Sequence, residues 1–256
     1  MNSHRLPAWL LIGLVLIAMA IVVRPGASYS RQNRDQLLTD ASARHPAGTD
    51  ALGRDRLERV SAALLLSLTG ALAAAAGVGT LAAFAGGAVG WMVMLVCDVF
   101  LALPWLFLLM MVRSALPLNT SPGHSAAITF LVLAALGWPA CARAVYQGAC
   151  DLKNSEWMLQ ARAAGLRRPQ VVRHVVPNLL PLLLPQFLVC VPAFVMAEAN
   201  LGALGLGIGE PLPSWGGMLL ELDNSSMLAQ SNWVYFPVVL LILVLFLLEA
   251  VAVKNS

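Results

Sequence analysis

RAVYQGACDLKNSEWMLQARAAGLRRPQVVRHVVPN, residues 143–178, is the long charged stretch in the apolar part of this chain, and it lies between two segments that could each span a bilayer. A chain that only turned around there could do so in a handful of residues. This stretch runs past thirty and reads as helices carrying a small-residue patch, Ala161, Ala163, Ala164 and Gly165, edged by Arg162, Arg167 and Arg168. Gly165 is followed by Leu166, Arg167, Arg168 and Pro169, the pattern of a helix C-terminal glycine that takes φ > 0 where a Cβ would strain. A large amphipathic connection of this kind is built to be gripped by another protein.

Outward from it the chain is a membrane protein. Hydrophobic residues make up 59% and charged residues 11%, against roughly 45–50% and 25% in soluble domains. Mean hydropathy is +0.77. The net charge of +3 is small and comes from loops, which gives no case for nucleic acid. Cys97, Cys141, Cys150 and Cys190 sit within or at the ends of apolar segments, without metal-ligand spacing, and read as unpaired buried thiols.

Six runs are long and apolar enough for spans, at roughly 8–23, 60–83, 91–112, 125–142, 177–197 and 233–253. None alternates with period two, and lipid leaves no backbone group unpaired, so the expected fold is an all-α integral membrane protein with six transmembrane helices. The first run follows His4 and Arg5 and reads either as a span or as a cleaved signal peptide; Arg24, Pro25 and Gly26 end it without a strong cleavage site. Orientation is a near tie on charge. Arg5, Arg143, Lys153, Arg162, Arg167, Arg168, Arg173 and Lys254 fall on one side, and seven arginines between Arg24 and Arg59 on the other. Gly70, Ala73 to Ala76, Gly77, Gly79, Gly86, Gly87 and Gly90 suit close packing of the second and third spans.

Catalytic chemistry finds no material. There is no G-x-x-x-x-G-K-[ST], the only lysines are Lys153 and Lys254, and no G-x-S-x-G occurs. His4, His45, His124 and His174 all fall outside the apolar cores, which excludes an intramembrane metal or His-based centre. Asp98, Glu198 and Glu249 are the acids within spans; such groups face a bundle interior or a watery path. Asp98 is followed by Pro104, whose missing N–H invites a kink. Pro177, Pro181 and Pro185 recur every four residues and mark a bent or protein-packed start to the fifth span. Residues 202–215 hold four glycines and two prolines with leucines and Trp215, the makings of an ordered lid over a pathway mouth.

Three separated stretches resemble a known family. His45-Pro46-Ala47-Gly48-Thr49-Asp50-Ala51-Leu52-Gly53-Arg54-Asp55 is similar to an HP-x-GTD-x-LGRD signature. Trp138-Pro139, Ala142-Arg143, Ala161-Arg162-Ala163-x-Gly165 and Arg173-His174-Val175-Val176-Pro177-Asn178 resemble the fourth span and the so-called EAA coupling loop. Glu198-Ala199, Leu204-Gly205-Leu206-Gly207 and Pro211-x-Pro213-Ser214-Trp215-Gly216 resemble the end of span five and its outer loop. The family is that of binding-protein-dependent ABC importer permeases, in particular the C-type subunit of dipeptide, oligopeptide and nickel importers. Leu159 and Gln160 stand where that motif has its glutamate and first alanine.

The resemblance implies a type I permease of the bacterial cytoplasmic membrane with both termini in the cytoplasm. Residues 1–59 would form the first helix and an extracytoplasmic segment, and 60–256 the permease domain with a cytoplasmic coupling loop at 143–176. Partners would be a homologous second permease subunit, two ABC ATPase subunits that use ATP and Mg, and an extracytoplasmic solute-binding protein; no cofactor would be bound by this chain. Gln160, Ala161, Arg162, Ala163, Ala164, Gly165, Leu166, Arg167 and Pro177 would couple to the ATPases, and Asp98, Glu198, Leu206 and Trp215 are candidates for the path or its gate. The rival is an ATP-independent ion- or proton-coupled transporter or channel using Asp98 and Glu198.

Overall fold

The computed structural model describes residues 6–85, 90–115, 121–153, 155–156, 160, 163, 168–223 and 232–255, with 77–85, 145, 149, 152–153, 168–184, 232 and 254–255 as backbone alone. Eight α-helices are described: α1 (Leu6–Val23), α2 (Arg56–Ala85), α3 (Gly90–Ala102), α4 (Trp105–Ala115), α5 (Pro122–Lys153), α6 (Arg168–Ala203), α7 (Trp215–Leu220) and α8 (Phe236–Asn255). Short 3-10 turns at Glu221–Asp223 and Asn232–Tyr235 lead into α8.

Packing follows helical periodicity. On α2, Val60, Ala63, Leu64, Ser67, Leu68, Ala71, Ala74 and Ala75 are buried, one stripe at three- and four-residue steps that meets α5 and α6. Two glycines in this core admit aromatic rings: a Cβ on Gly70 would strike the Phe130 ring, and one on Gly137 would lie 2.6 Å from Phe194. The small residues thus serve here as sockets for phenylalanines. α1 lies outermost against α2 and α8, with Ala18 its one buried residue.

The third span is broken. α3 and α4 meet at Leu103 and Pro104 at 86°. Pro104 has no N–H to continue the ladder, and its carbonyl instead starts α4 by accepting from Phe107 N–H at 2.9 Å. The two pieces still cross as one span. Asp98 of α3 pairs with Arg143 near the end of α5, whereas Arg113 of α4 bonds Ser125 near its start. Those α5 residues are 18 positions apart, about 27 Å along a helix, close to the roughly 30 Å hydrocarbon layer. With the five helices that pass on length and composition, the bent pair completes six spans.

Boundaries shift where the charged stretch lies. α5 runs beyond the expected 142 to Lys153, and α6 starts at Arg168 rather than 177. The helix α6 passes through Pro177, Pro181 and Pro185 without interruption. The spacing explains why. Each missing proline donor falls opposite the carbonyl four residues back, so Pro181 faces Pro177 and Pro185 faces Pro181, and the loss is confined to one stripe of the ladder. α2 likewise begins at Arg56, so the 24–59 segment runs directly into the second span.

Candidate translocation face and the ionic end of the bundle

Asp98 Oδ1 accepts from Arg143 Nη2 at 2.5 Å, and both side chains are about half exposed, 50% and 47%. An isolated acid within an apolar span calls for a cation, and the fold supplies one from a helix 45 residues away in sequence. At the break between α3 and α4 is a cavity of 280 Å³ lined by Phe100, Leu103, Trp105, Pro139, Gln186 and Phe194 among others. Phe100 also stacks obliquely on Trp138, ring centres 6.4 Å apart. Leu101 to Trp105, the break itself, are exposed. Interrupted backbone at membrane depth is tolerated against protein or a watery cavity and excluded from lipid contact. The exposed break, the exposed ion pair and the cavity therefore mark one face as turned away from lipid.

The end of the bundle holding the 24–55 segment is ionic. Gly48 and Gly53 take positive φ, +68° and +70°, and Thr49 bridges to Asp55. The turn is held by Asp50 Oδ1, which accepts from Leu52 N–H (2.9 Å) and Arg54 N–H (2.8 Å). Asp50 Oδ2 accepts from Arg54 Nε at 2.6 Å and lies 3.5 Å from Arg59 Nε. His45 Nδ1 meets Asp55 Oδ2 at 2.8 Å. Nearly every polar residue of the His45–Asp55 signature is thus engaged in folding it.

The same arginines reach a distant loop. Arg54 Nη1 donates to Glu210 Oε2 (2.7 Å), Arg59 Nη2 to Glu210 Oε1 (3.1 Å), and Arg56 Nη2 to Glu221 Oε2 (3.4 Å). Burial lowers the Arg54 pKa, but hydrogen bonds and charges from Asp50 and Glu210 outweigh it and hold the guanidinium above its usual value. For Glu221, burial pushes the carboxyl up against the opposing pull of Arg56.

Residues 204–214 run between a defined turn at the end of α6 and a capped start to α7. α6 ends in a Schellman turn: Gly205 at φ +74°, Gly205 N–H donating to Gly202 O (3.0 Å) and Leu206 N–H to Leu201 O (2.8 Å). Leu206 packs against the core. Ser214 caps α7, its hydroxyl accepting from Gly217 N–H at 3.1 Å, and Trp215 is wholly enclosed. Gly207 O accepts from Arg113 Nη2 at 3.2 Å, and the same nitrogen donates to Ser125 Oγ at 2.7 Å. Arg113 is 1% exposed and has no acid partner among the described residues.

The sequence-derived candidates separate accordingly. Asp98 lies on the exposed face; Glu198 lies inside the bundle, Oε2 accepting from Ser67 Oγ at 3.0 Å; Leu206 and Trp215 belong to the ordered end loop. Gln160 and Ala163 are helical and exposed, whereas Ala161, Arg162, Ala164, Gly165, Leu166 and Arg167 lie outside the described residues. Pro177 is inside α6. Three participants escaped the sequence reading: Arg143 as the partner of Asp98, Glu210 as the anchor of Arg54 and Arg59, and Arg113. The unpaired Asp98 could have prompted a search for the first; nothing local signals the other two.

A profile of binding-protein-dependent transport system inner membrane components matches residues 75–254. The oligopeptide transport system permease protein OppC of Haemophilus influenzae is 31% identical over 79% of this chain and 65% of its own length, so the chain spans just under two thirds of that relative. OppC of Escherichia coli K12 is 31% identical over 92% of this chain and 80% of its own. The glutathione transport system permease protein GsiD of Shigella dysenteriae is 31% identical over 94% and 81%. All are named as transport permeases rather than enzymes. The chain belongs to the binding-protein-dependent transport system inner membrane component family, as an ABC importer permease of C type.

Proposed function

We propose that this chain forms half of the translocation pathway of an ATP-driven importer of small peptides or a related small solute such as a nickel chelate. The observation that carries the pathway is the exposed break at Leu103 and Pro104 beside the exposed Asp98–Arg143 pair. A homologous permease would cover that face and enclose the cavity between the two chains. Relatives named for oligopeptide, dipeptide and glutathione transport support the substrate class. Both termini and residues 154–167 would then lie in the cytoplasm, and the 24–55 segment outside, where a solute-binding protein delivers cargo. Two ATPase subunits, using ATP and Mg, would grip the small-residue patch around Ala161 to Gly165. Their closure would shift the population between inward- and outward-open states, with α6 as a continuous lever from Arg168 to Ala203.

Uptake into vesicles tests the reading. Transport is expected only with ATP, the ATPases and the binding protein all present; uptake without ATP would favour the ion-coupled alternative. Gly165→Glu should leave insertion and permease pairing intact while the ATPases wash off and transport stops. Co-purification of the ATPases at wild-type level, with transport retained, would move the docking surface elsewhere.

The ion pair yields its own expectation. Arg143→Leu strands Asp98 at membrane depth, and uptake should fall about tenfold or more, because an uncompensated charge there is costly. Asp98→Asn combined with Arg143→Gln leaves neither charge alone and should transport better than Arg143→Leu, a coupling read from the double-mutant cycle. Wild-type uptake by Arg143→Leu would remove this face from the path.

A further inference from the structure

Three cavities succeed one another from α1 into the segment that follows it. The first, of 520 Å³, is an apolar groove between α1, α2, α6 and α8, lined by Leu11, Val15 and Met19 of α1, Leu65 and Leu72 of α2 and Leu248 of α8 among others. Its one hydroxyl, on Thr69, is occupied by its own helix, donating to Leu65 O (2.7 Å) and Leu66 O (3.1 Å). The second, of 280 Å³, is lined by Val22, Ala27, Ser28 and Glu58 among others. It shares Ala27, Ser28 and Glu58 with the third, a polar cleft of 360 Å³ at the ionic end. Arg24, Arg31 and Arg44 line that cleft.

The arginines of this segment divide by charge pairing. Of the seven between Arg24 and Arg59, Arg54, Arg56 and Arg59 are buried and paired with Asp50, Glu210 or Glu221. Arg24, Arg31, Arg34 and Arg44 are exposed and make no ion pair among the described residues, and of these four Arg24, Arg31 and Arg44 line the cleft. The acids that share their cleft are already engaged: Asp55 with His45 (2.8 Å), and Glu58 Oε2 with Ser28 N–H (2.9 Å). Three guanidiniums against two carboxylates leave the cleft net positive, and Arg24 follows Met19 of the apolar groove by five residues. From Val23, Met19 lies four residues and Leu11 twelve residues down α1, about 6 and 18 Å, a depth that an acyl chain can follow.

We infer that the seam between α1 and the rest of the bundle binds an anionic phospholipid, one acyl chain lying in the apolar groove and the phosphate headgroup under Arg24, Arg31 and Arg44. The lipid comes from the leaflet that meets this end of the bundle. α1 is attached to the bundle by a thin seam with one buried residue, and the lipid completes that seam. A basic residue close to an anionic bilayer surface strengthens attraction to it by at most about fivefold, and exposed guanidiniums give less, so a headgroup preference of about tenfold rests on the three together and the affinity for the chain on the groove.

Native mass spectrometry of the complete transporter, released from detergent holding equal phosphatidylglycerol and phosphatidylcholine, tests this. Wild type should retain phosphatidylglycerol about tenfold over phosphatidylcholine, and excess inorganic phosphate should not displace it. R24Q/R31Q/R44Q, all at exposed positions, should erase the preference, and Val15→Trp, which fills the groove, should lose both lipids while the complex still assembles. Equal retention of the two lipids by wild type, retention of neither, displacement by phosphate alone, or an undiminished preference in the triple variant would each overturn the inference.

Discussion

Replacing Arg54 with methionine should be among the most damaging single changes in this protein. Asp50 is 1% exposed, and its Oδ2 depends on Arg54 Nε at 2.6 Å, with Arg59 Nε farther off at 3.5 Å. Removing one partner of a buried pair leaves a stranded charge, a loss of about 3–5 kcal/mol. The same change frees Glu210, so the 204–214 loop loses one of its two ionic anchors. Arg54→Lys keeps the charge but cannot serve Asp50 and Glu210 through separate nitrogens of one planar group, and should recover only part. Asp50→Asn together with Arg54→Met should recover part as well, because no buried carboxylate remains. Because the folded Arg54 pKa is raised, its stabilisation is fully present below the unfolded value and is lost only as pH rises through the folded one. Melting of the purified protein should therefore show this contribution undiminished at neutral pH. A wild-type melt for Arg54→Met would show that Asp50 does not need it.

The second large effect is expected at Gly216, and two other glycines of the same loop serve as its controls. A Cβ on Gly216 would fall on Gly202 Cα, 2.5 Å from Ala199 O and 2.6 Å from Ala203 N, all backbone atoms. No side chain can swing aside there, so α7 must lift from α6. Gly216→Ala should cost about 1–3 kcal/mol or more as overpacking, and Gly216→Val should stop the end loop from folding. Gly205→Ala meets nothing within 4 Å but carries φ +74°, so backbone strain alone should cost about 1 kcal/mol. Gly209→Ala has open space and no positive φ, and should be silent. Melting temperatures in the order Gly209→Ala, Gly205→Ala, Gly216→Ala would separate close approach from φ strain. A harmless Gly216→Ala would mean that α6 and α7 do not meet at their backbones.

Much of this was legible along the chain, because the information is local. The six apolar runs reflect the length needed to cross hydrocarbon, and the kink at Pro104 follows from a missing donor. Four glycines and two prolines mark residues 202–215 as non-helical, and the structure has a turn at Gly205 and a loop up to Ser214 there. Other features were beyond local reading. The triple proline of α6 reads as a bent or protein-packed entry to the span; what no local pattern showed is that the helix runs on through it from Arg168, because stacked missing donors leave the rest of the ladder intact. Trp215, beside so many glycines, reads as part of a gate; the fold encloses it completely under the Ser214 cap.

The sequence by itself determined the membrane class, the apolar runs long enough to cross, the kink at Pro104 and the signature from His45 to Asp55. Each depends on residues within a few positions of one another, through hydropathy, φ preference or a missing N–H. The tertiary structure alone decided which charges meet: Asp98 with Arg143 across 45 residues, Arg54 with Glu210 across 156, and Arg113 beneath Gly207 across 94. In an apolar bundle a charge must find its partner wherever helix packing brings one within reach. Pairing there is set by the register of helices against each other, which no local pattern encodes.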